Sequence, residues 1–449
     1  MFHDRKLTVR CATLTAPVAS GRGVNAVPLA EGLNNVWVVL AGALVVFMEG
    51  GFGLLEAGFV QARNMGSIIV KVWMDLTAGS IAYWAVGFAL MYGADRAGLV
   101  GLHRLFSASA VPLLPPDLSP FAFWLFQAAF AVAAISIVSG AVAERMRPRA
   151  YLLFVLVMCA VIYPVSGHWV WGGGWLSRLG MRDFAGSGVV HALGGGAALA
   201  AALSLGSRRG RWTGGVDPRP ASLTLAAAGC FILWFGWFGF NAGSTLSATS
   251  PVLGLVALNT QLAAAAGGLV AFVVPLLREE RCDAPMAMNG GLAGLVAITA
   301  GCAYVSPAAA ALIGAIAGGL VQVAFVAMER WHVDDPVGAV AVHGWNGAWG
   351  VLAVGLFATK GGLLAGGGLH LLAVQALGLV AISAWGFGAT WLAFRALAST
   401  VGIRVTPEQE AVGLDAAWAV HAGAGAGADA FRVPGPAFDA ASVGEESAV

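Results

Sequence analysis

Apolar residues run along this chain in blocks long enough to cross a bilayer, and polar residues are confined to the short gaps between them. A helix needs about 20 apolar residues to span the hydrocarbon. Stretches of that kind fall at 35–60, 68–92, 120–142, 150–170, 184–205, 222–243, 254–277, 287–304, 308–329, 338–358 and 371–396. Several gaps are marked by proline or glycine, as at 112–116, 214–220 and 334–336. The pattern predicts an all-α polytopic membrane protein with eleven transmembrane helices and its termini on opposite sides.

Composition sharpens that picture. Soluble proteins average about 25% charged residues; this chain of 449 has 10% charged and 59% hydrophobic residues, with 63 glycines. Its mean hydropathy is +0.80. Glycines suit close helix packing in lipid, where small residues let backbones approach. A net charge of +1 implies no nucleic acid or other polyanionic partner. The five cysteines, Cys11, Cys159, Cys230, Cys282 and Cys302, have neither metal-ligand nor disulfide spacing, so they read as small apolar residues, and no cofactor is expected.

Basic residues set the orientation. One set of loops holds Arg63, then Arg145, Arg147 and Arg149, then Arg208, Arg209, Arg211 and Arg219, then Arg278, Arg281 and Arg330. The alternate loops hold Arg96, Arg104, Arg178, Arg182 and Lys360. The first set is predicted cytoplasmic, with the N-terminus outside and the C-terminus inside, although Arg5, Lys6 and Arg10 pull the other way. Residues 1–34 read as a poorly ordered extension or atypical signal segment, because the apolar stretch after the basic start is short and broken by Pro17. Residues 35–400 form the membrane domain. Residues 401–449 form a cytoplasmic tail, largely disordered at its end, where AGAGAGADAF and GEESAV cannot bury a core.

One spacing occurs twice. Asp183 stands eight residues before His191 in DFAGSGVVH, and Asp335 stands eight before His343 in DPVGAVAVH, each inside an apolar, small-residue stretch. Asp183 opens the fifth span and Asp335 the tenth. Five is odd, so the chain reads as two inverted five-helix repeats plus an eleventh helix. Such repeats place their functional site near the bilayer midplane, where the two histidines then face each other. Ionisable groups are costly in hydrocarbon, and a repeated set is better explained by a transport path than by packing.

Six ordered motifs carry a resemblance across residues 35–415: FQAAF at Phe126–Phe130, GAVAERMR at Gly140–Arg147, WGGGWL at Trp171–Leu176, DFAGSGVVH, WFGFNAGS at Trp237–Ser244, and DDPVGAVAVHG at Asp334–Gly344. Together they resemble the ammonium transporters of the Amt/Mep/Rh family, on its Amt branch. The resemblance implies a homotrimer with one pore per protomer, in the cell (inner) membrane. It implies an outer recruitment site at Trp171, Phe130 and Ser244, with Asp183 beneath, where a partly dehydrated ammonium meets aromatic faces. It implies a gate at Phe130 and Phe240, with Phe126 one turn earlier, that is dry to hydrated ions. It also implies twin pore histidines, His191 and His343, that pass the proton while ammonia diffuses separately. A naked cation in hydrocarbon costs several kcal/mol or more.

Other residues are read more plainly. Asp183 also suits a helix cap, and Asp335 reads as a cap with Pro336 at the first helical position. Glu49 and Glu56 share a face of the first span; Glu56 reads as structural, and Glu49 has no role in this reading. Glu144 and Arg145 read as an ion pair. Ala89 stands where many relatives have serine near the outer vestibule. The tail keeps EAVGLD at Glu410–Asp415 but then diverges, which weakens the expectation of a PII-type signalling partner. The alternatives are an Rh-like neutral ammonia channel, an ammonium sensor, and an intramembrane hydrolase using Ser166 and His168; no enzyme activity is expected.

Overall fold

A computed structural model describes residues 28–109, 111–214 and 220–418. Among these, ten helices are long and apolar enough to cross a membrane: α1 Leu29–Phe59, α2 Ala62–Tyr92, α3 Pro120–Ala141, α4 Pro148–Arg178, α5 Ser187–Leu205, α6 Leu223–Gly243, α7 Leu253–Glu279, α9 Pro307–Arg330, α10 Val340–Phe357 and α11 His370–Thr400. The eighth crossing, α8, is a shorter apolar helix, Ala284–Thr299. These are the eleven predicted spans, in order. The protein is all-α and polytopic; a small hairpin, Ala94–Arg96 with Val100–Leu102, follows α2. α1 begins at Leu29, ahead of the boundary expected at residue 34. Residues 1–27 and 419–449, where the leading segment and the end of the tail were expected, lie outside the described residues, as does Arg219.

α8 ends early for a visible reason. The Ser187 hydroxyl donates to Val296 O at 2.7 Å and accepts from Ala300 N at 2.7 Å. It sits inside the bond that would have continued the helix, a recognised way to end or bend one. The strand of chain leading into α5 docks on that opened end, with Phe184 N and Ala185 N donating to Ala300 O and Thr299 O.

α5 and α10 are built alike. Each opens on a wide π-helical turn, Ser187–Ala192 and Val340–Trp345, that carries the histidine. Three residues after each aspartate stands a glycine with left-handed backbone, Gly186 (φ 112°) and Gly338 (φ 77°), where a side chain would be strained. The two helices cross at Gly195 and Gly344; a Cβ on Gly195 would lie 2.2 Å from Gly344 Cα. Asp335 differs from the expectation of a cap beside Pro336. Pro336 lies in a turn, the helix starts later, and the Asp335 carboxylate reaches Val340 N at 2.7 Å.

The arginine-rich loops converge on one face and are tied together there. Arg208 donates to Glu144 at 2.8 Å and to Asp334 at 2.8–2.9 Å. Burial opposes ionisation of Asp334, but the Arg208 hydrogen bond and the charges of Arg145 and Arg208 hold it at about 2. Burial likewise opposes ionisation of Glu144, and Arg208 and Gln61 hold it below its ordinary value. Arg145 is not its partner, contrary to expectation. Glu144 sits at φ 69°, which turns it toward Gln61 and Arg208; Arg145 donates to the carbonyls of Gly206, Ala143 and Asp334. The start of the tail docks on the same face. Pro407–Val412 is fixed by a Thr406/Gln409 capping box. Glu410 pairs with Arg404 at 2.9 Å, and Asp415 accepts from Gly66 N and Ser67 N.

Candidate functional site: an aromatic and histidine column through the bundle

A cavity of about 300 Å³ opens beside α3, α4 and α6, lined by Phe126, Gln127, Phe130, Trp171 and Ser244 among others. Four of the residues singled out in the sequence therefore meet here. The Trp171 indole N–H donates to Asp183 O at 2.7 Å, so its nitrogen is tied to the backbone. The Ser244 hydroxyl donates to Phe240 O at 2.8 Å, so its lone pairs remain as acceptors. Asp183 and Phe240 do not line this cavity. Ala89, expected near the vestibule, is buried and does not line it either.

Asp183 serves the backbone. Its oxygens accept from Gly186 N (3.0 Å), Gly188 N (2.9 Å) and Val189 N (2.8 Å), which fixes the wide turn that carries His191. Ionised acceptors at a helix start are favoured by the exposed N–H groups and the dipole.

Beneath the cavity the aromatic rings stack. Phe126 and Phe130 have centroids 4.7 Å apart, and Phe130 lies edge-on to Trp171 at 6.0 Å. Phe130 and Phe240 are stacked at 4.0 Å. Phe240 leads to the His191 ring at 5.6 Å. His191 Nδ1 and His343 Nδ1 are then 3.1 Å apart, with the rings nearly parallel. Both histidines are buried. Below His343 lies a cavity of about 20 Å³, room for one water. Gly338 lines both that cavity and a wider one of about 220 Å³ that reaches Arg208 and Arg211.

Trp237 has no role in the sequence reading, yet it stacks on His191 at 5.2 Å and donates to Thr299 Oγ1 at 2.9 Å. Its only sequence signal is its place at the head of WFGFNAGS. Gln127, Tyr92 and Phe184 also line the outer cavity without having been singled out. Ser166 and His168 do not form a nucleophile–base pair: Ser166 donates to Tyr163 O, and the His168 ring nitrogens face Met91 O and Asp95.

The profile of the Ammonium Transporter Family matches residues 36–423. The chain belongs to that family. It is 46% identical over 409 residues to the ammonium transporter Amt2 of Archaeoglobus fulgidus, covering 86% of each chain. It is 41% identical to a putative ammonium transporter of Synechocystis, covering 85% of this chain and 87% of that one. Among solved structures, a protein described as a sensor Amt protein superposes with a TM-score of 0.82 at 39% identity, over 86% of this chain and 98% of its own. Mep2 of Candida albicans superposes with a TM-score of 0.79 at 30% identity, over 84% and 87%.

Proposed function

We propose that this protein carries ammonium nitrogen across the cell membrane, recruiting the cation outside, stripping its proton at the gate, and passing ammonia and proton separately. The observation that carries the reading is the 3.1 Å contact between His191 and His343 at the foot of the Phe130–Phe240 stack. Trp171, Phe130 and Ser244, with Asp183 behind them, form the recruitment site. A desolvating cation gains about 0.5–2 kcal/mol on an aromatic face, and Ser244 accepts an N–H that potassium cannot offer. Phe126, Phe130 and Phe240 are the gate.

The histidine pair imposes a proton count. Two Nδ1 atoms at hydrogen-bond distance share one hydrogen, so one outward Nε2 is bare and the other protonated. His191 Nε2 has no partner among the described residues. A bare Nε2 there accepts the proton from ammonium, the shared hydrogen shifts, and His343 releases one below. The net result is one proton moved and one ammonia left to diffuse, with no cation in the hydrocarbon. By resemblance the assembly is a homotrimer with one pore per protomer. The membrane domain runs from the start of α1 at Leu29 to residue 400, with the arginine-rich face and the tail (401–449) in the cytoplasm and the N-terminus outside. A PII-type protein remains a candidate partner at that face.

The test is electrophysiology on liposomes holding the purified protein. Ammonium and methylammonium should evoke currents and potassium none. Ammonia flux without current would instead mean a neutral channel. The resemblance to a sensor Amt protein favours one second reading, ammonium sensing; ammonium binding with neither current nor flux would select it.

A further inference from the structure

The pore leaves unused a group of charged side chains buried in α1–α4. Glu49 and Glu56 on α1, Lys71 and Asp75 on α2, Ser136 and Ser139 on α3 and Tyr151 on α4 are all buried. Glu49 is 3% exposed. Ser136 Oγ lies 2.7 Å from Glu49 Oε2, 3.2 Å from Asp75 Oδ2 and 3.1 Å from Val132 O. Tyr151 donates to Asp75 at 2.7–2.8 Å. Ser139 donates to Glu56 at 2.8 Å, and Lys71 donates to Ser139 O at 2.6 Å, with its ammonium 5.5 Å from the Tyr151 ring centroid. Asp75 opens a π-helical turn, Asp75–Gly79, a distortion frequent at functional sites.

Two further observations connect this group to the pore. The small cavity under His343 is also lined by Glu56 and Ser136. Glu49 Oε1 has no hydrogen-bond partner among the described residues. Charge counting adds a constraint. Three carboxyls face the single Lys71 ammonium in hydrocarbon, where uncompensated charge is expensive, so the group is neutral only when two of the three carboxyls are protonated. The Glu49–Asp75 pair bridged by Ser136 can hold those two protons while Glu56 stays ionised. Asp335, Glu144 and Arg145 act on it electrostatically from the inner ends of the helices, and the Cys159 thiol packs against Gly79 in the π-helical turn that Asp75 opens.

We propose that Glu56, backed by the Ser136-bridged Glu49–Asp75 pair, is the proton acceptor on the inner side of the pore. This rests on the proton-passing role of His191 and His343 given above. His343 releases its proton to one water in the small cavity, and that water passes a proton to a Glu56 carboxylate oxygen. The Glu56 O–H then breaks to return the proton to water in the wider cavity, which shares Gly338 with the small one and is lined by Phe59 at the inner end of α1. An N–H bond breaks and an O–H bond forms; no electrons are exchanged.

The test compares ammonium-evoked currents from liposomes carrying the wild type, Glu56→Gln, Glu49→Gln, Ser136→Ala and Glu56→Asp. Glu56→Gln should lose about a hundredfold or more of the current, within the range of a lost proton-transfer group. Glu49→Gln and Ser136→Ala should move the pH of half-maximal current, and Glu56→Asp should restore most of it. If Glu56→Gln does not give a monodisperse protein, the pH profile of Ser136→Ala decides. Wild-type currents and pH profiles in all variants, or currents that fall only with the amount of folded protein at an unchanged profile, would overturn the proposal. If currents vanish in His191→Ala yet persist in every carboxyl variant, this relay alone fails. If the wild type gives no current, the transport reading beneath it fails as well.

Discussion

Trp171 lines the outer cavity and is tethered at its indole nitrogen, so in the proposed recruitment site it would contribute cation attraction rather than a hydrogen bond. Losing about 0.5–2 kcal/mol of attraction corresponds to roughly 2- to 30-fold in affinity. Trp171→Leu should therefore raise the ammonium concentration for half-maximal uptake by about that factor while the maximal rate changes less. Unchanged uptake at limiting ammonium would make Trp171 an interface aromatic and nothing more. At this scale the sequence was informative about residue types and silent about partners. Asp183, His191, Asp335 and His343 stood out because ionisable groups in hydrocarbon are rare. The Glu144–Arg208–Asp334 lock did not, because its members come from three different loops and adjacency suggested the wrong partner, Arg145. Glu49 could not be explained for the same reason: Ser136 and Asp75 lie on other helices.

The elements that matter most are the two helices with wide first turns. Their existence was legible from hydropathy, and their kinship from the repeated eight-residue spacing. Their internal geometry was not, because a π-helical turn and the Ser187 insertion into α8 depend on contacts between segments far apart in sequence. The crossing of α5 and α10 is similar: 63 glycines are far too many for a sequence to single out Gly195. Its added Cβ would strike backbone, which cannot swing aside. Gly195→Ala should cost about 1–3 kcal/mol by overpacking and lower the melting temperature in detergent. Gly319→Ala, on an open stretch of α9 with nothing within 4 Å, should leave it unchanged. Equal melting temperatures for the two variants would mean the crossing is not under steric control.

For the whole molecule, alternation of loops rich and poor in basic residues predicted which connections share a face, and the ion pairs Glu144–Arg208, Arg208–Asp334 and Arg209–Glu410 join loops of that one set to each other and to the tail. The docked start of the tail was not legible, since EAVGLD is too short to bury a core and is held by Asn64, Gly66 and Ser67 at the start of α2. The side of the membrane on which this face lies is testable through Cys282. It is exposed in the loop between α7 and α8, whereas Cys159, Cys230 and Cys302 are buried. In a Cys11→Ser background, a membrane-impermeant thiol reagent should label the protein only after cells are permeabilised. Labelling of intact cells would reverse the proposed orientation.

The proposed movement of charge with ammonia through a dry bundle would need both halves of the protein at once, and the contact between their histidines is where the account is most exposed. The direct measurement is ammonium-evoked current through liposomes carrying the wild type, His191→Ala or His343→Ala, each shown to be monodisperse. The account predicts a clear current in the wild type and none in either variant. A current of wild-type size in either variant would contradict it.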